Sequence, residues 1–387
     1  MRRKSRRVLF QGLLFITTFV TTTLAGAQWV YGVTIFSGNF TWEDFIRGLP
    51  FSAPLLLILT AHEFGHYFVA LYHRVKSSLP YYIPIPPIPY FPVNLGTMGA
   101  VIRLRSRPAS NVQTFDIGVA GPIAGFVVAL AIMVYGFRTL PPPEYVFSFH
   151  PEYEQFGEDY ADVVYSESYM REQGLVLDLS FGNNLLFWIF SEWVADPDRV
   201  PNERELMHYP VLLACYIALF VTCLNLLPIG QLDGGHVIYG LFGFRVHRVI
   251  ARLAFLALIF YAGLGLPYIN PALPSHELLP GIALYVLFLF LAFRGLNLPT
   301  RDTLMFALLI FASQFALMSW IPGVRGYEGW LLFAFILGRV IGVEHPRSEI
   351  EKPLDPTRIV IGWLALLIFV LCFSPAPIRI APVMGAG

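Results

Sequence analysis

The chain has 387 residues, of which 56% are hydrophobic and 13% charged, with a mean hydropathy of +0.61. Soluble globular proteins carry about 25% charged residues, so the composition excludes an ordinary soluble fold and points to a polytopic membrane protein. The 26 basic and 26 acidic residues cancel, which speaks against a nucleic-acid partner. Cys215, Cys223 and Cys372 all sit in apolar runs without a CxxC pair, so neither a disulfide framework nor a cysteine zinc site is expected.

A membrane-spanning helix needs about 20 predominantly apolar residues. In chain order, candidate segments fall at 9–34, 49–73, 116–138, 208–229, 248–266, 278–294, 303–321, 329–343 and 358–374. The eighth is the shortest, so eight or nine spans are expected. The first follows Arg2, Arg3, Lys4, Arg6 and Arg7 and contains Ala25-Gly26-Ala27, which has the form of a signal-peptidase site. The apolar run continues through Trp29, Val30 and Tyr31, which favours a retained helix. Residues 80–110 open with a proline-rich run from Pro80 to Pro89, which cannot be a helix interior. They continue as Leu95–Leu104, with glycine bends at Gly96 and Gly99, and read as a strand or hairpin. Residues 139–207 hold 14 acidic and 3 basic side chains and form the only sizeable polar segment. Their one apolar stretch, Asn184–Phe190, is too short to span and is expected to be interfacial or packed on the membrane domain.

The expected architecture is therefore an all-α polytopic membrane protein with a short β insertion near 80–110. Its parts are a basic segment and first helix (1–48), a second helix, hairpin and third helix (49–138), an acidic insertion (139–207), a fourth helix (208–245) and a C-terminal helical region (246–387). Cytoplasmic loops carry excess Lys and Arg. With the basic N-terminus inside, Arg74 with Lys76, Arg103 with Arg105 and Arg107, Arg245 with Arg248, Arg294 with Arg301, and Arg347 with Lys352 and Arg358 all fall inside. The acidic insertion then falls outside.

His62-Glu63-Phe64-Gly65-His66 is an HExxH motif. On a helix, positions i and i+4 share one face, so two imidazoles reach one ion while the glutamate serves as base toward a zinc-activated water. The motif lies within Leu55–Val69, an otherwise apolar stretch, and ionisable residues buried in a membrane helix are functional by default. A catalytic zinc takes three protein ligands, and His73, Asp116, Asp233, His236 and the remaining scattered histidines are candidates for the third. Asp233 follows the fourth helix in Asn225-Leu-Leu-Pro-Ile-Gly-Gln-Leu-Asp-Gly-Gly-His236. Proline and glycines break the helix there, and a carboxylate beside broken helix at membrane depth reads as a ligand. His236 reads as a supporting or structural residue.

The membrane-embedded HExxH, the later N-x-x-P-x-x-x-L-D-G and the small-residue block Gly118–Gly125 together resemble the site-2 protease family of intramembrane zinc metalloproteases, over residues 62–236. The resemblance implies Zn2+ held by His62, His66 and Asp233, Glu63 as general base, and hydrolysis of a transmembrane protein substrate within the bilayer. It implies a substrate or oxyanion contact for Asn225, whose alternative is an interhelical hydrogen bond. Many family members carry a PDZ domain where residues 139–207 lie. This segment is too short and too acidic for one, and the chain is most similar to PDZ-less members of bacteria and plastids. A bacterial cytoplasmic membrane, with the active site toward the cytoplasm, is the expected location. The rival readings are a proteolytically inactive metal-binding scaffold and a transporter. Oligomeric state leaves no signature in the sequence.

Overall fold

A computed structural model describes residues 2–86, 94–174 and 177–382. Its elements in chain order are α1 (Arg2–Tyr31), α2 (Trp42–Arg47), α3 (Leu49–Tyr72), β1 (Tyr81–Pro84), β2 (Thr97–Val101) and α4 (Asn111–Arg138). The acidic insertion follows, with α5 (Tyr160–Val164), α6 (Glu167–Glu172), β3 (Leu177–Phe181) and α7 (Leu185–Trp193) between short 3-10 turns. Then come α8 (Pro210–Leu226), α9 (Asp233–Ala262), α10 (Ser275–Phe293), α11 (Thr300–Trp320), α12 (Gly329–Ile336), α13 (Pro356–Cys372) and β4 (Ile378–Pro382).

The fold is mostly helical. Among the described residues, five helical segments are long and apolar enough to cross a membrane: Ser5–Tyr31, Leu49–Tyr72, Asn111–Arg138, Ser275–Leu296 and Thr300–Trp320. Pro210–Leu226, Gly329–Ile341 and Pro356–Cys372 are shorter apolar helices. The expected segment 248–266 falls in the second half of α9, whose helical path breaks at Gly243 (φ 76°, ψ 172°).

The chain divides into two compact units. The first contains the residues up to Arg107, Ala120–Leu224 and the residues from Leu367 onward; the second contains Pro108–Val119 and Asn225–Leu366. In the first unit α1 packs on α3. The hydroxyls of Thr21, Thr22 and Thr23 bond to carbonyls four residues back, at 3.1, 2.8 and 2.7 Å, which satisfies them inside an apolar helix. Thr22 Oγ1 also meets Ser52 Oγ at 2.6 Å. Ala25-Gly26-Ala27 lies within α1, where Ala27 is fully buried.

The anticipated hairpin is present. β1 and β2 pair antiparallel with Tyr82 opposite Ala100, and the register shifts between Tyr82 and Pro84. Residues 87–93, which include the end of the proline-rich run, lie outside the described residues. Gly96 has φ +74°, and a Cβ there would stand 2.3 Å from the Thr21 carbonyl oxygen; that carbonyl approach leaves room only for glycine. Thr21 Oγ1 donates to the Gly96 carbonyl at 2.6 Å, and Trp29 Nε1 to the Asn94 carbonyl at 2.8 Å. Both bonds fasten the hairpin to α1.

In the acidic insertion, Asn184 caps α7 by accepting from the Phe187 amide at 2.9 Å. The apolar face of α7 packs inward, with Phe187 and Phe190 against Phe137 at 5.3 and 5.8 Å between ring centroids. A second sheet, unforeseen in an all-α reading, pairs β3 antiparallel with β4, from Leu177 opposite Pro382 to Phe181 opposite Ile378.

In the second unit Gln314 joins three helices through its buried amide. Gln314 Nε2 donates to the carbonyls of Ile259 and Phe260 at 3.1 and 2.9 Å, and Tyr285 donates to Gln314 Oε1 at 3.1 Å.

Candidate metal centre

α3 places His62, Glu63 and His66 on its buried side, at 5%, 5% and 7% exposure. The two imidazoles meet edge to face, with ring centroids 4.8 Å apart and Nε2 atoms 3.1 Å apart. Donors about 2.0–2.1 Å from one tetrahedral ion stand about 3.3 Å apart, so this pair has the spacing of two zinc ligands.

Room for the rings comes from α4. A Cβ at Gly121 would lie 2.1 Å from His66 Nε2, and one at Gly125 would lie 3.1 Å from the His62 Cβ. On α3, a Cβ at Gly65 would lie 2.5 Å from the Ala120 carbonyl oxygen. The small-residue block of α4 is therefore more than a generic packing face. Each of these two glycines makes space for one imidazole of the motif. The fit to a metal rests on this cradle, which a single methyl group would fill.

In the second unit Asp233 is the first residue of α9, and its side chain is half-buried. The preceding loop is tightly wound. Gly230 has φ +59° and its Cβ would strike the Gly342 carbonyl oxygen at 2.1 Å, while its amide donates to the Val343 carbonyl at 2.9 Å. Asn225 lies in the last turn of α8.

Two other candidates for the third ligand have different partners. Asp116 holds Arg358 in a two-pronged pair, 2.8 Å at each oxygen. His236 Nδ1 meets His345 Nε2 at 2.8 Å, and a Cβ at Gly118 would lie 2.5 Å from the His236 Cβ. His236 thus stands against a second imidazole. His345, 109 residues away, is one of the scattered histidines that nothing local in the sequence singles out. His73 forms the C-cap of α3.

A buried HExxH pair on a helix long enough to cross a membrane defines the class of a membrane-embedded metalloprotein. Residues 50–266 match the sequence model of Peptidase family M50, the site-2 protease family, and the chain belongs to that family. It is 27% identical over 195 residues to the probable zinc metalloprotease EGY1, chloroplastic, of Arabidopsis thaliana, covering 50% of this chain and 30% of that protein. Against the EGY1 protein of Oryza sativa subsp. japonica it is 28% identical over 195 residues, covering 50% and 28%. Against the probable zinc metalloprotease EGY2, chloroplastic, of Arabidopsis thaliana it is 24% identical over 196 residues, covering 51% and 29%. The match thus spans less than a third of each of these curated relatives. Their names place them in chloroplasts, and the expectation of a bacterial cytoplasmic membrane gains no support from them. No solved structure matches the chain.

Proposed function

We propose that this chain is an intramembrane zinc metalloprotease that hydrolyses peptide bonds in or near the transmembrane segments of other membrane proteins. The observation that carries the reading is the His62–His66 pair, 3.1 Å between Nε2 atoms, buried on a helix of membrane-spanning length. We assign His62, His66 and Asp233 as the zinc ligands. This set leaves one coordination position free, as catalytic zinc sites do. Zinc held there supplies Lewis acidity, lowering the pKa of water toward about 7. Glu63, next to His62 on the same helix, takes the proton from the attacking water and returns it to the leaving amine. Asn225 donates a hydrogen bond to the oxyanion that develops on the cleaved carbonyl. A scaffold would have no use for a carboxylate beside the first ligand. The deciding experiment is cleavage of a single-span reporter by the purified chain in lipid. A zinc-loaded wild type that leaves every such reporter intact returns the reading to scaffold or transporter.

A helical peptide bond is shielded by its own hydrogen bonds and must be unwound before it is cut. β2 pairs with β1 alone among the described residues. In the first unit a cavity of ≈180 Å³ runs between His62 and Thr97–Gly99, walled by Leu55, Leu59 and Phe220. We infer that an unwound substrate adds to the free edge of β2, using main-chain hydrogen bonds that accept many sequences. Neighbouring amides in a strand point to opposite edges, so proline at Ala100 and proline at Val101 each remove one donor, one of them on the free edge. One of the two variants should cleave more slowly while keeping its zinc. Normal cleavage by both would reduce the hairpin to a structural element.

The domain organisation and sidedness are part of the same proposal. The three shorter apolar helices and the second half of α9 also cross the membrane. The basic loops, Ser106 among them, face one side, and the acidic insertion, Glu154 among them, faces the other. The three native cysteines are buried, so single cysteines at Ser106 and Glu154 stand out against them. An impermeant thiol reagent should reach these two from opposite sides of a sealed vesicle. Labelling of both from one side would overturn the arrangement.

A further inference from the structure

The acidic insertion contains a second group of ligand-type side chains that proteolysis does not use. His150 lies just beyond the 3-10 helix Pro143–Ser148 that follows α4, while Glu205 and His208 lie just before α8. The Nε2 atoms of His150 and His208 are 3.2 Å apart. Glu205 Oε2 lies 3.6 Å from His208 Nε2 and 3.9 Å from His150 Nε2. All three line a cavity of ≈590 Å³ at the end of α1. Three donors around one tetrahedral ion stand about 3.3 Å apart, close to this triangle.

Each ligand is oriented from behind. His208 Nδ1 donates to the Val30 carbonyl at 2.7 Å, which leaves its Nε2 as a lone pair facing the cluster. Glu152 Oε1 stands 3.5 Å from the opposite nitrogen of His150. The Tyr165 hydroxyl donates to Glu205 Oε1. Glu205 is 1% exposed, and its Oε2 has no hydrogen-bond partner. A proton shared between the two imidazoles would satisfy both histidines and still leave that oxygen bare. A bare carboxylate oxygen in a buried position is unfavourable without a partner, and a cation at the centre of the triangle supplies one.

We propose that His150, Glu205 and His208 bind a second divalent cation of the zinc class, on the side of the acidic insertion, with a fourth position open to the cavity. Two neutral imidazoles and one carboxylate suit zinc and its borderline neighbours, and disfavour the harder calcium and magnesium. The ion ties the segment after the Pro143–Ser148 3-10 helix to the entrance of α8 inside the first unit. The proposal rests on no part of the protease reading.

The test is elemental analysis of the full chain, loaded with zinc in detergent and desalted. Wild type should hold two zinc ions per chain. Glu205→Gln and His150→Gln should each hold one, and the double variant His62→Ala/His66→Ala should also hold one. The His150 side chain is 30% exposed, so its substitution spares the core should Glu205→Gln misfold. Zinc should also raise the Tm of the His62→Ala/His66→Ala variant, and adding His150→Gln should remove that rise. One zinc in wild type that His62→Ala/His66→Ala abolishes overturns this proposal and leaves the protease reading intact. Two ions in His150→Gln also overturn it. One zinc that only His150→Gln removes supports this site and counts against the other.

Discussion

With a single-span reporter in lipid, Glu63→Gln should keep its zinc and cleave about 10²–10⁴-fold more slowly than wild type, the usual cost of losing a general base. Glutamine preserves the size of the side chain and its place on the buried side of α3 but cannot accept a proton. Glu63 is adjacent to His62, so its loss leaves the two imidazoles of the motif in place. Asp233→Asn is the complementary variant. It removes the negative charge from the assigned third ligand and should lose zinc affinity and cleavage together. The contrast separates a proton acceptor from a ligand. A Glu63→Gln chain cutting at the wild-type rate would remove the catalytic role of Glu63 and with it the main reason for preferring an enzyme to a scaffold.

Gly121→Ala should release zinc without touching any ligand. Its new methyl carbon would stand 2.1 Å from His66 Nε2, well inside contact distance, and the ring must swing away. Overpacking a buried site costs about 1–3 kcal/mol, which corresponds to roughly a five- to hundred-fold loss in affinity at 1.4 kcal/mol per decade. Gly125→Ala is the graded control. Its methyl would lie 3.1 Å from the His62 Cβ, a squeeze that a small shift relieves, so zinc loss should be milder. Competition against a chelator of known affinity measures both. Wild-type zinc affinity in Gly121→Ala would mean that α4 does not cradle the site as described.

The legible parts of this molecule are those whose cause is local. His62 and His66 are four residues apart, so helical periodicity alone brings their rings together. Pro80 and the glycines at 96 and 99 forbid a helix and announce the hairpin. The Asn184–Phe190 stretch was too short to span, and it packs on Phe137 as α7. Features that depend on distant partners left no trace. Gly121 reads as a small residue on a packing helix, and only the approach of α4 to α3 shows that it faces His66. His345 is invisible until the fold sets it against His236. The β3–β4 sheet joins strands about 200 residues apart in the sequence, beyond the reach of any hairpin signal. Span length was the weakest inference. Hydropathy marks α8, α12 and α13 as apolar, yet α8 and α13 are 17 residues each, at the lower end of the lengths that span a bilayer core.

The β3–β4 sheet also imposes a parity on the chain. Residues hydrogen-bonded across one ladder share one face of the bilayer, so the path from Phe181 to Ile378 must cross the membrane an even number of times. Six of the nine segments expected from the sequence fall on that path, namely 208–229, 248–266, 278–294, 303–321, 329–343 and 358–374. Striking out the doubtful one at 329–343 would leave five and strand β4 on the side opposite its partner. On the proposed topology, the candidate spans between the two strands of this ladder stand or fall in pairs.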